Sequence, residues 1–262
     1  AAASAAPRSE APGVAPVAST YLQRFTARSA LMAHTGGPAA LPTQNVVAFL
    51  PGTDPELRGQ VIVIGAHIDH LGRSTAGALD DAAGDAIRNG ADDNASGTAG
   101  VLELARLFHA TPTRRSLLFV HFSGEELGLL GSQYFVEHSP VPLDSMIAML
   151  NFDMIGRMRG DSVIVYGVET AREMNAVLDS ANLPVGLTVR GVGDGYGPSD
   201  HSSFYARGVP VLHFFTNLHD DYHRATDDAH KINAAGAARV VALAERVVRE
   251  VGGRPARLTV VD

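Results

Sequence analysis

The 262-residue chain contains no cysteine and no tryptophan, and Lys231 is its only lysine. Without thiols there can be no disulfide, thiolate nucleophile, iron–sulfur cluster or cysteine-based zinc finger. A P-loop needs Gly-Lys-Ser/Thr, which is absent, and Schiff-base chemistry would rest on Lys231 alone, beside His230. No Gly-x-Ser-x-Gly element of a serine hydrolase occurs, and the glycine-rich run Gly191–Gly197 lacks the spacing of a dinucleotide-binding loop. No apolar run of about 18 residues is present, so no membrane-spanning helix is encoded. The net charge of -7, with no Lys/Arg run, argues against a general nucleic-acid binder. The chemistry must therefore come from 11 histidines and 28 acids.

Residues Ala1 to Ser19 are mostly Ala, Pro, Ser and Val without periodicity and read as a flexible leader. The chain begins without Met and without a signal pattern, which fits a targeting peptide already removed and a secreted or periplasmic protein. Residues 20–262 read as one folded domain. Strands are expected at Asn45–Leu50, Val61–Ala66, Ser116–Phe122, Met146–Phe152, Val163–Tyr166 and Val209–Phe215. Helices are expected at Ser96–Ala110, with Asn94 or Ser96 as cap, and at Leu127–His138, Arg172–Ala181 and Ala234–Val251. This alternation predicts an α/β fold, a mixed and mainly parallel sheet with helices on both faces.

In such sheets ligands bind beyond the carboxyl ends of the strands. Four expected strands run into acids and histidines there: His67-Ile68-Asp69-His70, Ser123-Gly124-Glu125-Glu126, Asp153, and His219 to His223. A fifth segment, Asp92-Asp93-Asn94, precedes the helix at Ser96. Singly, each has a plain explanation. A His-x-Asp pair can be only a hydrogen bond, and acids before a helix complement its dipole. The segment Asp220–His223 can be only a solvated loop. Asp153 is harder to dismiss, because an acid ending a buried strand is costly unless partnered. Five such segments on one rim favour a joint site. Imidazole with carboxylate and no thiolate suits zinc, manganese or cobalt. The adjacent Glu125 and Glu126 point in different directions, so one can hold metal while the other accepts a proton from water.

The ordered segments GAHIDHLG, NGADDNASG, FSGEELGLLGS, NFDMIG, GYGPSDHSSF and DYHRATDD resemble the co-catalytic zinc aminopeptidases of metallopeptidase family twenty-eight, the aminopeptidase Y and bacterial leucyl aminopeptidase type. The resemblance covers about Asn45 to Val251. It implies that residues 20–262 are a zinc peptidase catalytic domain acting on peptides with a free amino terminus, with two zinc ions per chain. By motif, His67 and Asp153 would hold one ion, Glu126 and His223 the other, and Asp93 would bridge them. Glu125 would be the general base toward a bridging water, and Asp69 would orient His67. The resemblance also makes Asp93–Asn94 a candidate non-proline cis peptide. Either Tyr196 or Tyr222 would assist the oxyanion, while Asp200 and His201 would be structural. The stretch Leu71–Asn89 lengthens the connection between His67 and Asp93 relative to compact members and is expected to form a rim or lid. A same-fold carboxypeptidase would need cations for a substrate carboxylate, which Arg157 and Arg159 could supply, although they read as an outward-facing solvated pair. A single-zinc glutaminyl cyclase would not need the second donor set, and a silent interaction module would not need the base.

Overall fold

A computed structural model describes residues 19–27, 41–80 and 86–261. Residues 1–18 of the expected leader lie outside the described residues, and Ser19 opens the first strand. The strands are β1 (Ser19–Ala27), β2 (Leu41–Leu50), β3 (Val61–His67), β4 (Ser116–Phe122), β5 (Met146–Phe152), β6 (Ser162–Tyr166), β7 (Thr188–Val192) and β8 (Val211–Phe215). They form one eight-stranded sheet in the order β1-β2-β4-β3-β5-β8-β6-β7. The central strands β4, β3, β5 and β8 run parallel, and antiparallel pairings join β2 to β4, β1 to β2 and β6 to β8.

β3 is buried along its whole length, and its alternate residues feed two cores. Ile62, Ile64 and Ala66 pack with Val101, Leu104 and Phe108 of α1 (Gly97–Ala110) and with Val240 and Val247 of α5 (Ala234–Gly253). Met174, Val177 and Leu178 of α3 (Met174–Asn182) belong to that same core. Val61 and Val63 pack on the other face with Phe135 and Val136 of α2 (Leu130–Glu137) and Phe204 of α4 (His201–Tyr205). The α/β architecture with helices on both faces is as expected. Among the described residues, no helix is long and apolar enough to cross a membrane.

The departures have local causes. β1 was not expected because its inward side carries Gln23, which hydrogen-bonds to Asn45 and to the His138 carbonyl, so apolar alternation fails there. β7 escaped notice because it is an edge strand with no buried residue. α2 starts at Leu130 instead of Leu127, after Leu129 takes a left-handed conformation at φ 59°. At α1 the cap is Asn94, whose Oδ1 accepts the Gly97 N–H at 3.0 Å. The shared direction of β3, β4, β5 and β8 places their carboxyl ends on one rim, which sets the site.

Candidate metal centre

β3 delivers His67 to that rim. Its Nδ1 lies 3.1 Å from the Asp69 main-chain carbonyl. A carbonyl only accepts, so Nδ1 carries a proton and Nε2 is the nitrogen left to face the rim. That Nε2 faces Asp93 Oδ1 and Asp153 Oδ1, each at 3.4 Å. Asp69 thus orients His67 through its main chain, its carboxylate standing 4.0 Å from the ring. The carboxylate instead accepts the N–H groups of Glu125 (3.1 Å) and Glu126 (3.3 Å), tying the end of β3 to the loop after β4. Asp153 ends β5 with Oδ2 accepting from the Ser199 hydroxyl at 2.8 Å, while its buried Oδ1 has no hydrogen-bond partner among the described residues.

Asp93 sits in a tight turn, Ala91–Ser96, that opens α1. The N–H groups of Asp92 and Asp93 both donate to Asp227 Oδ2, at 2.9 and 3.1 Å. The Asp93–Asn94 bond is cis, as the resemblance implied. Gly90, at φ 62°, leads into this turn, and a Cβ there would lie 2.1 Å from the Asp93 carbonyl, so no larger residue fits. The two oxygens of Asp93 face two different histidines. Oδ1 is 3.4 Å from His67 Nε2, and Oδ2 is 3.3 Å from His223 Nε2. His223 Nε2 also lies 3.2 Å from Glu126 Oε2, and the other Glu126 oxygen accepts from His70 Nδ1 at 2.6 Å.

Four carboxylates, those of Asp93, Glu125, Glu126 and Asp153, therefore meet around three imidazoles, those of His67, His70 and His223. Burial pushes Glu125 well above the ordinary carboxylate range, and Asp153 and Asp200 push it further against the pull of His67. Burial likewise raises Asp93, with Asp153 and Glu126 adding to it against hydrogen bonding from His223. Burial opposes ionisation of Glu126 as well, but hydrogen bonds from His223 and His70 outweigh it and bring the group to about 2. Mutual repulsion of this kind is relieved by cations. The donor atoms of His67, Glu125 and Asp153, and those of His70, Asp93 and Glu126, each lie within 4.8 Å of one another. With Asp153 Oδ1 lacking a hydrogen bond and no thiolate in the chain, the residues suit divalent metal of the zinc type.

His70 was not assigned a role from sequence. It follows the strand end, where side-chain alternation no longer says which way a residue turns. Asp227 was also missed, since a carboxylate that accepts two main-chain N–H groups leaves no mark in the sequence.

The pocket beside these groups is lined by Met154, Tyr166, Pro198, Phe215, Leu218 and Tyr222 together with the acids and His223. Tyr222 stacks on His223 with ring centroids 3.8 Å apart. Tyr196 is 62% exposed and packs edge-on against Tyr205, away from this lining. Asp200 and His201 are buried outside both donor groups; burial raises Asp200 to about 7 and lowers His201 well below the usual imidazole value.

Arg157 is not the solvated residue expected. Its side chain is 17% exposed and pairs with Asp221 at 2.6 Å and Asp227 at 3.6 Å. Arg159 is exposed and donates to the Leu218 carbonyl at 2.8 Å. The single lysine has a structural post, since Lys231 Nζ reaches Asp221 Oδ1 at 2.5 Å. Asp221 thus gathers Arg157, Lys231 and the Thr226 hydroxyl two residues from His223.

Residues 45–248 match the family described as Peptidase family M28. The chain belongs to peptidase family M28. It is 34% identical over 216 residues to leupeptin-inactivating enzyme 1 of Streptomyces exfoliatus, covering 81% of this chain and 42% of that protein. It superposes on an aminopeptidase from Aneurinibacillus sp. strain AM-1 with a TM-score of 0.68 and 28% identity, over 85% of this chain and 51% of the other. This chain spans less than two thirds of either relative. A glutaminyl cyclase from Porphyromonas gingivalis shares the fold at a TM-score of 0.70 and 21% identity, over 89% of this chain and 84% of the other.

Proposed function

We propose that this chain is a zinc-dependent aminopeptidase that removes amino-terminal residues from peptides, using two zinc ions and Glu125 as general base. The observation that carries this reading is the position of Asp93, whose two oxygens face His67 and His223 separately, as a carboxylate shared by two ions must. His67 and Asp153 would hold one ion and Glu126 and His223 the other. When bound, such ions polarise the scissile carbonyl and lower the pKa of water.

The chain's own residues supply the rest. Glu125 is half-buried beside the donors and takes a proton from the attacking water, then passes it to the leaving amine. Asp69 fixes both glutamates through their main-chain N–H groups. Tyr222 is held protonated above the ordinary phenol range, by burial and then by the charges of Asp93 and Glu126, so it remains a donor toward a developing oxyanion. Tyr166, Phe215 and Leu218 make the wall beside it apolar, which suits an apolar first residue. A carboxypeptidase reading is weakened by Arg157, whose charge is already met by Asp221 and Asp227. The intact donor set and base argue against a silent interaction module.

A substrate panel tests the proposal: aminoacyl anilides, the same compounds N-acetylated, carboxyl-terminal reporter peptides and an amino-terminal glutamine peptide, each with and without chelator. Cleavage confined to free amino termini and abolished by chelation is expected. Cyclisation of the glutamine peptide without cleavage would transfer the chain to the cyclase reaction. Tyr222→Phe should lower kcat by about 100-fold with KM little changed, the usual cost of one oxyanion donor. Tyr196→Phe should behave as wild type, and the reverse ranking would reassign the donor.

A further inference from the structure

None of the described residues of the lengthened connection after His67 lines the pocket, so the expected rim or lid is not what they form; they contact His223 and Ala225 instead. His223 lies at φ 54°, a left-handed conformation that a histidine rarely adopts unaided. Two hydrogen bonds from the connection hold it there. The Gly77 carbonyl accepts from His223 Nδ1 at 2.9 Å, and the Leu79 N–H donates to the His223 carbonyl at 3.0 Å. The first fixes a proton on Nδ1 and turns Nε2 toward Asp93 and Glu126, the nitrogen that would hold an ion in place of its own proton.

The next residue anchors the arrangement. Asp80 Oδ2 accepts the Ala225 N–H at 2.6 Å, two residues beyond His223. Asp80 Oδ1 pairs with Arg88, whose side chain is 1% exposed and also donates to the Ser74 carbonyl at 3.1 Å. The Arg88 N–H closes the base of the connection on the Gly72 carbonyl at 2.8 Å. At the other end of the same segment, His70 holds Glu126 Oε1 and leaves Oε2 facing His223. Both donors of one ion are thus gripped from one stretch of chain. His67 and Asp153 are instead oriented by Asp69 and Ser199.

We propose that the segment His70–Asp80 is a positioning device for the Glu126/His223 half of the metal centre, and that Asp80 sets the affinity of that half alone. The inference rests on the reading of Glu126 and His223 as donors to one ion. Partners that orient a metal-binding imidazole or carboxylate are commonly worth about 10- to 100-fold in metal affinity. Asp80 touches neither substrate nor ion, so its influence runs through Ala225, Gly77 and the His223 ring.

The test is zinc binding to the full chain without substrate. Zinc-free protein is titrated against a chromogenic chelator, giving two stepwise constants, and folding is checked by circular dichroism and thermal unfolding. Asp80→Ala should weaken one step by about 10- to 100-fold and leave the other in place. Asp80→Asn keeps one acceptor oxygen for the Ala225 N–H and should fall between, which guards against a variant that merely folds poorly. Ser199→Ala should weaken the opposite step, because it frees Asp153. Unchanged constants in Asp80→Ala, or equal weakening of both steps, would overturn the proposal. So would a wild-type chain that takes up a single zinc. Two steps behaving as expected in a chain that cleaves no aminoacyl substrate would leave this inference standing and remove the aminopeptidase reading.

Discussion

Glu125→Gln is expected to bind two zinc ions like the wild type and to lose turnover by about 100- to 10,000-fold, the range spanned by a positioned general base. The substitution keeps the shape of the side chain and removes only its capacity to accept a proton. The main chain should not move, because Asp69 holds residue 125 through its N–H and not its carboxylate. The pocket should still admit substrate, so the loss should fall on kcat with KM nearly unchanged. The environment of Glu125 also fixes a sign. In the metal-free chain burial first, and then the charges of Asp153 and Asp200, raise its pKa against the pull of His67, and bound cations would favour its ionised form. A base works only when deprotonated, so kcat/KM of the zinc-loaded enzyme should rise with pH through an acid limb as Glu125 ionises. That limb should vanish in the residual activity of Glu125→Gln. Metal content by elemental analysis and steady-state kinetics between pH 4 and 9 check all three statements. Near wild-type turnover would remove Glu125 from the role.

Much of the site was legible in the sequence because it rests on strands that announce themselves. The apolar runs Val61–Ala66, Ser116–Phe122 and Met146–Phe152 can only be buried strands, so His67, Glu125 and Asp153 had to emerge at their ends. The parallel order of those strands then brings the ends together. What stayed hidden depends on single hydrogen bonds. The grip of Asp69 on two main-chain N–H groups, the support of the Asp93 turn by Asp227, and the contact of Gly77 with His223 all join residues far apart in sequence. No periodicity encodes them. The two tyrosines show the same division. Motif position alone left Tyr196 and Tyr222 equivalent, whereas stacking on His223 places only Tyr222 along the pocket. Arg157 was misread because a cation following a buried strand looks solvated until the acids around it, Asp221 and Asp227, are located.

The site's supports also explain the fate of the single lysine. Lys231 serves with Arg157 to neutralise Asp221, which lies two residues before His223 on the same loop. That loop is thus held at two points, through Asp221 and through the contact of Ala225 with Asp80. Such double anchoring suits the metal-holding role proposed for His223 on an otherwise irregular segment.

Removing zinc should destabilise the chain strongly, and the loss should grow with pH. An ion that binds only the folded state adds about 4 kcal/mol when present at 1,000 times its dissociation constant. For a domain of this size that corresponds to roughly 10 °C in Tm. The pH dependence follows from the groups left facing one another. In the metal-free chain burial lowers the pKa of His223, but hydrogen bonds to Asp93 and Glu126 more than reverse this and raise it to about 10. His67 is raised well above the usual value in the same way, chiefly by Asp153 against its burial. A raised folded-state pKa gives stability that is complete below the unfolded value of about 6.5 and is lost as pH climbs through the folded value. Asp93 and Glu125 are raised too, so their contribution also falls with rising pH. Glu126 and Asp153 are depressed to about 2 and change nothing in this window, since their contribution fades only in acid. Zinc competes with protons for the same atoms, so its own stabilisation increases as the histidines deprotonate. The difference in Tm between loaded and chelated protein should therefore widen steadily from pH 6 to pH 9. Calorimetric scans of the two forms at each pH decide it. A gap that stays constant, or narrows on the alkaline side, would mean that the ions are not held by His67 and His223.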